Sequence, residues 1–312
     1  MIDPSFIAAV RQGEPLAVAR AITRIERGGQ DARNLIRALF AFTGHAQIIG
    51  VTGAPGTGKS TLVNALGKEF RTKGKRVAII AVDPSSPFSG GAILGDRLRM
   101  QELSGTGIFI RSMASRGQLG GLAAAVSDAL IVLDAAGFDV ILVETVGAGQ
   151  GEVDIAKHAH TTLVVEAPGF GDDIQAIKAG ILEIADVLVV NKADREGVSA
   201  TVAALEMNLS LNPDKRAWRP PVVKTIALSG QGVPEVIDAI ARHQAYLDEN
   251  GLRAKKDAAR FDEELREVLK RELLQETLNA VPRERWNELI SEIITRKQDI
   301  YSIAEEILDA RD

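Results

Sequence analysis

The sequence predicts an α/β fold: a mostly parallel sheet with helices on both faces, preceded and followed by helical segments. Between Gln47 and about Leu247, short runs of Val, Ile and Leu alternate with amphipathic stretches, as expected for strands that are buried on both faces. The residues before and after this region show helical spacing without strand alternation. We therefore expect three parts: a helical extension at 1–46, an α/β domain at 47–250 and a helical arm at 251–312.

Length and composition narrow the class of protein. The 312 residues are 46% hydrophobic and 25% charged, which is typical of a folded chain with one main domain and extensions. A net charge of −5 argues against a general nucleic-acid or membrane-surface binder, which normally shows a basic face. The absence of cysteine excludes disulfides and thiolate metal sites. The first residues lack a basic region and a long apolar run, so we expect no signal segment. We expect a cytoplasmic protein.

The helical extension is divided by turn residues. Gly13-Glu14-Pro15 separates the first two helical segments, and Gly28-Gly29 ends the second. The sequence predicts that this extension covers one edge of the α/β domain, and a dedicated partner-binding role is the alternative.

The α/β domain opens with a glycine-rich loop between a short apolar strand at 48–51 and a helix. The loop fits G-x-x-x-x-G-K-[ST] at every fixed position: Gly53-Ala54-Pro55-Gly56-Thr57-Gly58-Lys59-Ser60. Its successive N–H groups and the following helix N-terminus bind anions, and Lys59 can reach the outer phosphates of a nucleotide. Ser60 would then hold Mg²⁺. The alternative is a glycine-rich turn without a ligand.

Six further apolar runs predict the remaining strands: 77–82, 108–110, 140–143, 162–165, 187–190 and 222–227. Ligands of such sheets bind at the carboxyl ends of the strands. Polar residues follow three of these runs, namely Asp83, Glu144 and Asn191.

The tetrapeptide Asn191-Lys192-Ala193-Asp194 fits the pattern N-K-x-D directly after a predicted strand. The Asp194 carboxylate can accept hydrogen bonds from the ring N–H and exocyclic amine of guanine, which adenine does not offer in that arrangement. Lys192 can lay its aliphatic stem over the base. Adenine would leave a desolvated carboxylate unpaired, so such a site discriminates strongly. Alone, the tetrapeptide is also typical of a surface turn, but together with the phosphate loop it predicts GTP or GDP as ligand.

Glu144-Thr145-Val146-Gly147 resembles the D-x-x-G switch of GTPases, with Glu in place of Asp. The carboxylate would face Mg²⁺ through water, and the Gly147 N–H would contact the γ-phosphate. In Ras-like proteins a water-orienting Gln follows that Gly directly, whereas here Ala148 takes this position and Gln150 comes two residues later. We therefore expect slow intrinsic hydrolysis that awaits a rearrangement induced by a partner.

Two further acidic residues and one short loop complete the predicted site. Asp83 and Asp96 are candidates to contact Mg²⁺ through a bound water or to position the attacking water, and a helix cap is the alternative role for each. After the last strand, Ala227-Leu228-Ser229 can offer backbone N–H groups to the guanine oxygen. A metal pair at His158 and His160 is disfavoured, because no ligating carboxylate has suitable spacing, and we expect both on the surface.

The helical arm has an apolar stripe that nothing in the α/β domain obviously covers. Leu265, Leu269 and Leu273 lie amid many charges, and Pro282 precedes a second apolar set that includes Trp286 and Ile290. The sequence predicts that a second copy of the chain covers the stripe, and folding back onto its own domain is the alternative.

Several blocks together resemble the MeaB/ArgK family, the GTPases associated with methylmalonyl-CoA mutase. They are Asp83-Pro84-Ser85-Ser86-Pro87, Gly95-Asp96-Arg97, the stretch 115–121, the stretch 144–150 and the N-K-x-D loop. The likeness spans essentially the whole chain. It implies a G-protein metallochaperone, a homodimer joined through its C-terminal helices, that binds an adenosylcobalamin-dependent acyl-CoA mutase. There it gates cofactor delivery, protects the enzyme and helps to eject damaged cofactor, coupled to GTP hydrolysis.

The resemblance also implies roles for individual residues. Lys59, Ser60 and Thr61 would bind phosphate and Mg²⁺, whereas Asp83, Asp96 and Glu144 would serve the metal and hydrolysis. The segment 168–178 is similar to an additional switch through which the mutase is sensed, with Gly169, Asp172, Gln175 and Lys178 as coupling residues. The family usually has a small residue where Phe170 stands.

Two other functions stay open at this point. A nickel-insertion GTPase accessory protein has a similar architecture, although it would be expected to carry Cys/His metal-binding elements. A nucleotide-binding interaction module would bind GTP without significant hydrolysis even when a partner is present.

Overall fold

The computed structural model describes residues 2–84, 105–115, 121–145, 151–169, 182–211 and 217–309. The strands within these residues are β1 (Gln47–Thr52), β2 (Val77–Pro84), β3 (Phe109–Ser115), β4 (Val140–Thr145), β5 (Thr161–Glu166), β6 (Val187–Val190) and β7 (Val222–Lys224). These described strands form one sheet in the order β3-β2-β4-β1-β5-β6-β7, and neighbouring strands run parallel.

Helices precede, connect and follow the strands. Those before the sheet are α1 (Pro4–Arg11), α2 (Pro15–Arg27) and α3 (Gly29–Leu39). Those within the sheet region are α4 (Lys59–Thr72), α5 (Gly121–Ala135), α6 (Gly151–His158), α7 (Val198–Leu211) and α8 (Val233–Glu249). The chain continues with α9 (Leu252–Ala280), α10 (Arg283–Ile294) and α11 (Ile300–Asp309).

The sheet is covered on both faces. One core packs α2, α3 and α5 against strand residues such as Ile80 and Ile141. The other packs α4 and α8 against Ile79 and Leu142, the alternate residues of the same strands. Side chains of a strand point alternately to opposite faces, so both sets must be apolar, and this is why the strands read as continuous apolar runs. The predicted α/β fold is confirmed.

The helices before the sheet belong to one of these cores. Helix α2 begins with Pro15 in its first turn and buries Val18 and Ile22 completely. The extension therefore covers part of one face of the sheet, together with α5, where the sequence predicted an edge. The connection from this extension to β1 is fixed by Asp134 in α5. Its carboxylate accepts hydrogen bonds from three successive N–H groups at 44–46. This cap sets the path of the chain into β1.

Two strands, β3 and β7, end three or more residues away from their predicted limits. Strand β3 continues through Arg111 and Ser112, because the Arg111 guanidinium pairs with Glu26 of α2 and is thus compatible with a sheet position. Strand β7 ends at Lys224, since Ile226 forms an isolated antiparallel bridge with Gln231 across a tight turn. The polar side chains of β3 led to a predicted strand that was too short, and the turn after Lys224 ends β7 earlier than predicted.

The amino ends of the strands contact the first turns of α9 through polar side chains. Lys256 Nζ donates to the carbonyl oxygen of His160 at 2.8 Å and to Asp186 Oδ2 at 3.2 Å. The Nδ1 atom of His160 accepts from the N–H of Ile48 at 3.0 Å, so its Nε2 carries the proton that faces Asp257 at 3.2 Å. His160 is therefore buried, and the prediction that it lies on the surface was wrong. Pairing of both ring nitrogens removes the cost of burial.

A second buried histidine lies in the same region. His243 of α8 contacts Thr161 Oγ1 through Nδ1 at 2.9 Å and Asp186 through Nε2 at 3.3 Å. Trp218 and Tyr246 pack against its ring. Burial lowers the pKa of His243, with Lys256 acting in the same direction and Asp186 opposing. The neutral ring is therefore favoured in the folded protein.

The chain divides into two compact units, Met1–Arg260 and Phe261–Asp312, and the boundary falls inside α9. The second unit buries Leu289 and Ile303 but leaves many large apolar side chains exposed, namely Phe261, Leu265, Val268, Leu269, Leu273, Leu274, Leu278, Trp286, Ile290, Ile294, Ile300, Tyr301 and Leu308. The domain limits at 46/47 and 250/251 stay predictions. Among the helices of the described residues, none is long and apolar enough to cross a bilayer.

Candidate nucleotide-binding site

The phosphate loop connects β1 to α4, with the helix beginning at Lys59. Gly53, Gly56 and Gly58 have φ angles of 136°, 81° and 91°, which side chains rarely allow. A Cβ atom on Gly53 would lie 2.1 Å from the carbonyl oxygen of Val165 in β5. The loop thus curves tightly against the neighbouring strand, which explains the glycines of the motif. Pro55 is exposed and Thr57 is buried.

Lys59 is held within this loop. Its side chain is buried, and Nζ donates to the carbonyl oxygens of Gly53 at 2.6 Å and Ala54 at 3.0 Å. The hydroxyl of Thr57 donates to the same Ala54 oxygen at 2.9 Å. The ammonium group therefore lies against the backbone that a polyphosphate would contact, beside the amino terminus of α4. Thr61, in the first turn of α4, is exposed.

Ser60 and Glu144 meet where β1 and β4 end. Ser60 Oγ donates to Glu144 Oε1 at 2.5 Å, and the Glu144 side chain is almost completely buried. A hydroxyl bond between Thr145 and Thr52 joins the same two strand ends at 3.1 Å. Hydroxyl and carboxylate oxygens are ligands that Mg²⁺ prefers, and a buried carboxylate gains most from a nearby cation. The donor set therefore fits a magnesium ion.

Asn191 joins three loops through one amide group. Its Nδ2 donates to the carbonyl oxygen of Thr57 at 2.9 Å in the phosphate loop. Its Oδ1 accepts from the hydroxyl of Thr225 at 3.1 Å and from the N–H of Ala227 at 3.0 Å. Asn191 was predicted among the nucleotide contacts, but its amide is engaged within the protein. A Cβ on Gly58 would lie 2.4 Å from Nδ2, which again requires glycine.

Lys192 and Asp194 carry the surface of the N-K-x-D loop. Lys192 adopts a left-handed backbone conformation with φ 56°, and its Nζ donates to the carbonyl oxygen of Gly56 at 2.6 Å. Desolvation lowers the pKa of Lys192, with Arg195 adding to this effect and Asp194 opposing it. Asp194 itself is exposed. The lysine stem therefore spans from the N-K-x-D loop to the phosphate loop, and the Asp194 carboxylate is accessible to a ligand.

The loop after β7 forms the third part of the site. Ala227 is buried by its bond to Asn191, whereas Leu228 and Ser229 are exposed. A groove of about 460 Å³ separates this loop from α4. Its walls are formed by Thr61, Asn64, Ala65, Lys68, Glu69, Thr72, Ala227, Leu228, Ser229, Gly230 and Val233.

The remaining predicted site residues are two whose backbone positions are described and six that lie outside the described residues. Asp83 belongs to β2, at the carboxyl edge of the sheet. Gly169 follows β5 with a φ of 76°. The residues that lie outside the described part of the chain are Asp96, Gly147, Gln150, Asp172, Gln175 and Lys178. Among the described residues, Thr225 also belongs to the site, although a threonine two residues before a short loop carries no signal in the sequence.

Fold and site together define a nucleotide-binding protein of the P-loop class, in which the phosphate loop and the N-K-x-D loop meet at the carboxyl edge of a parallel sheet. A match to a family model identifies the family within this class. The model of the family described as Methylmalonyl Co-A mutase-associated GTPase MeaB matches residues 18–282. The chain belongs to the MeaB family and is thus a member of a family of GTPases, which implies guanine nucleotide binding.

Relatives carry GTPase or disease-related names. A Pyrococcus abyssi protein described as a GTPase is 48% identical over 312 residues, which cover 99% of this chain and 96% of that protein. The GTPase ArgK of Escherichia coli is 38% identical over 78% of this chain and 77% of its own length. A mouse protein named methylmalonic aciduria type A homolog, mitochondrial, is 33% identical over 80% of this chain and 65% of its own.

Solved structures show the same architecture. The crystal structure of an LAO/AO transport system kinase has a TM-score of 0.72 and 27% identity, covering 99% of this chain and 98% of that one. HypB from Helicobacter pylori, solved in complex with nickel, has a TM-score of 0.50 and 14% identity over 69% of this chain and 93% of its own. The second likeness concerns the fold alone.

Proposed function

We propose that this protein is a GTP-hydrolysing chaperone of an adenosylcobalamin-dependent acyl-CoA mutase. The family match at 18–282 carries the proposal, because it covers both nucleotide loops and extends into the flanking helices. The name of the mouse relative points to the same branch of metabolism. In this function, the protein gates cofactor delivery to the mutase and protects or reactivates it.

The phosphate loop binds the polyphosphate of GTP in this proposal. Backbone N–H groups between Gly53 and Ser60 surround the phosphates, and the amino terminus of α4 adds its partial positive charge. Lys59 exchanges its bonds to Gly53 and Ala54 for the outer phosphates, so its ammonium charge moves only within the loop. Binding therefore replaces backbone acceptors by anionic ones, which form stronger hydrogen bonds.

Ser60 and Glu144 would hold Mg²⁺, with Asp83 and Asp96 as further candidates. When bound, the ion supplies positive charge that offsets the charge of the β- and γ-phosphates. The contact of 2.5 Å between Ser60 and Glu144 ties the end of β4, which the segment with Gly147 and Gln150 follows in the sequence, to the last residue of the phosphate loop. A change at the γ-phosphate thereby reaches the segment that contains Gly147 and Gln150. Slow hydrolysis without a partner follows from the displaced position of Gln150 in the sequence.

Guanine recognition is assigned to Asp194, which is accessible at the carboxyl edge of the sheet. Its carboxylate accepts from the ring N–H and the amine of guanine, while the Lys192 stem covers one face of the base. The loop Ala227-Leu228-Ser229 closes the site on the other side of Asn191. Titration with labelled GDP and ADP tests this step. Clear preference for GDP is expected, and equal affinities would remove the assignment of Asp194.

A homodimer completes the proposal. The second unit exposes a series of large apolar side chains that includes Leu269 and Ile294, and a second copy of the chain is the partner proposed to cover them. Partner sensing is assigned to the segment from Gly169 to Lys178, which follows β5 in the sequence.

The deciding experiment combines pull-down with kinetics. Methylmalonyl-, isobutyryl-, 2-hydroxyisobutyryl- and ethylmalonyl-CoA mutases are each tested as partners, and GTP hydrolysis is measured with and without each. The proposal expects binding to one mutase and faster hydrolysis in its presence. Binding without acceleration would favour the interaction module, and no binding to any mutase would overturn the chaperone role while leaving the GTPase intact.

A further inference from the structure

Lys256 holds the first turns of α9 at the amino edge of the sheet. Its Nζ donates to the carbonyl oxygen of His160 at 2.8 Å and to Asp186 Oδ2 at 3.2 Å. The neighbouring Asp257 contacts the ring of the same His160 at 3.2 Å. Two adjacent residues of α9 therefore bind the backbone and the side chain of one residue in the sheet region. Hydrogen bonds that involve a charged group are stronger than those between neutral groups.

The two residues that Lys256 contacts lie at the amino ends of neighbouring strands. His160 directly precedes β5, and Asp186 directly precedes β6, which leads to Asn191 and the N-K-x-D loop. The Asp186 carboxylate also accepts from the N–H of Thr162 in β5 at 2.9 Å, so it joins both strands. One ammonium group is thus bound where two strands begin, and the second of these strands carries the N-K-x-D loop at its other end.

Helix α6 ends at the same place. It follows the segment that contains Gly147 and Gln150, and its last residue lies two positions before His160. With 8 residues, the helix is about 12 Å long. The segment proposed to respond to the γ-phosphate is therefore connected by one short helix to the residue that Lys256 holds.

Helix α6 packs closely against β1. A Cβ on Gly50 of β1 would lie 3.0 Å from Ile155 Cγ1 and 3.1 Å from Ala159 Cβ. Both Ile155 and Ala159 are buried. Closely packed elements pass a displacement on to their neighbours rather than absorb it. A shift at the start of α6 should therefore reach His160.

We propose that Lys256 couples the occupancy of the γ-phosphate position to the attachment of α9. The inference rests on the proposed function, because it assumes that the segment with Gly147 and Gln150 responds to the γ-phosphate. The coupling acts on the first turns of α9, which belong to the first compact unit. Since α9 continues as one helix to Ala280, the nucleotide state is reported at the start of the helical arm.

Hydrogen exchange of the amides at 252–260 tests this coupling in the full chain. It is measured by mass spectrometry with GDP and with guanylyl imidodiphosphate, an analogue that keeps a γ-phosphate and is not hydrolysed. The exchange rates in the two states are expected to differ about fivefold, at the lower end of common allosteric couplings. Equal exchange in the two states of the wild-type protein would overturn the inference without any variant.

Lys256→Met removes the ammonium group and keeps a long side chain. The difference between the two nucleotide states at 252–260 should then fall below about twofold, whereas Lys256→Arg should retain it. Lys255→Met is the matched control, because it makes the same change at the adjacent, exposed residue of α9. An unchanged difference in Lys256→Met, or an equal loss in Lys255→Met, would contradict the role of Lys256.

Reciprocity separates coupling from a merely structural contact. In Lys256→Met, the ratio of the affinities for the GTP analogue and for GDP should change by up to the factor that the exchange rates show. A structural contact would lower stability and leave this ratio unchanged, and that result would also overturn the inference. Failure of the proposed function has a different signature, because the wild-type protein would then not prefer GDP over ADP.

Discussion

Replacing Gly53 by alanine tests whether the phosphate loop is as tightly packed as the geometry indicates. The new Cβ would lie 2.1 Å from the Val165 carbonyl oxygen and 3.0 Å from two further backbone atoms of the same residue. Strand β5 cannot move away freely, because it pairs with β1 on one side and with β6 on the other. The φ of 136° adds conformational strain to this overlap. We expect a loss of about 2–4 kcal/mol in the free energy of unfolding.

Gly74 provides a control that separates backbone strain from steric overlap. Gly74 also has a positive φ, 77°, but a Cβ there would meet nothing within 4 Å. Gly74→Ala should therefore cost only about 1 kcal/mol. Urea unfolding followed by circular dichroism gives both values, and GDP titration should show weakened binding for Gly53→Ala alone. Equal unfolding midpoints for the two variants would refute the reasoning.

Three further predictions address the metal, the pH dependence and the arm. Ser60→Ala should weaken GDP binding about tenfold with Mg²⁺ and much less in EDTA; an equal loss in both would contradict a metal role for Ser60. Because the folded pKa of His243 lies below 6.5, the unfolded chain takes up the proton first. Stability should be fully present above that pH and fall as the pH decreases through the folded pKa, as urea midpoints at about pH 7.5 and about pH 5.5 would show. His243→Gln should reduce this dependence, and an unchanged slope would exclude His243 as its source. Truncation after Arg260 keeps the bonds of Lys256 and Asp257 and should give monomers by light scattering, whereas a persistent dimer would place the interface elsewhere.

Local patterns predicted the fold well where one physical cause dominates. Strand β6 was predicted with its correct limits because it is apolar throughout and buried on both faces. Strand β3 was predicted too short, since the ion pair between Arg111 and Glu26 makes a charged strand residue tolerable. Such pairing joins residues 85 positions apart, and no local pattern reveals it.

The same distinction holds for the site. The glycines, Lys59 and the N-K-x-D residues are recognisable because each loop is continuous in sequence. The internal role of Asn191 became visible only in three dimensions, since its partners come from two other loops. His160 was misplaced for the same reason: its burial depends on the N–H of Ile48 and the carboxylate of Asp257.

The amide of Asn191 also has a consequence for how the chain acquires its function during synthesis. Its bond to Thr57 spans 134 residues, and its bond to Ala227 spans another 36. A chain still attached to the ribosome that has released only the phosphate loop and β5 lacks these two hydrogen bonds. The three loops of the site can be joined only after the segment that follows β7 has emerged and packed against Asn191. We therefore expect tight nucleotide binding only in a chain whose sheet is complete.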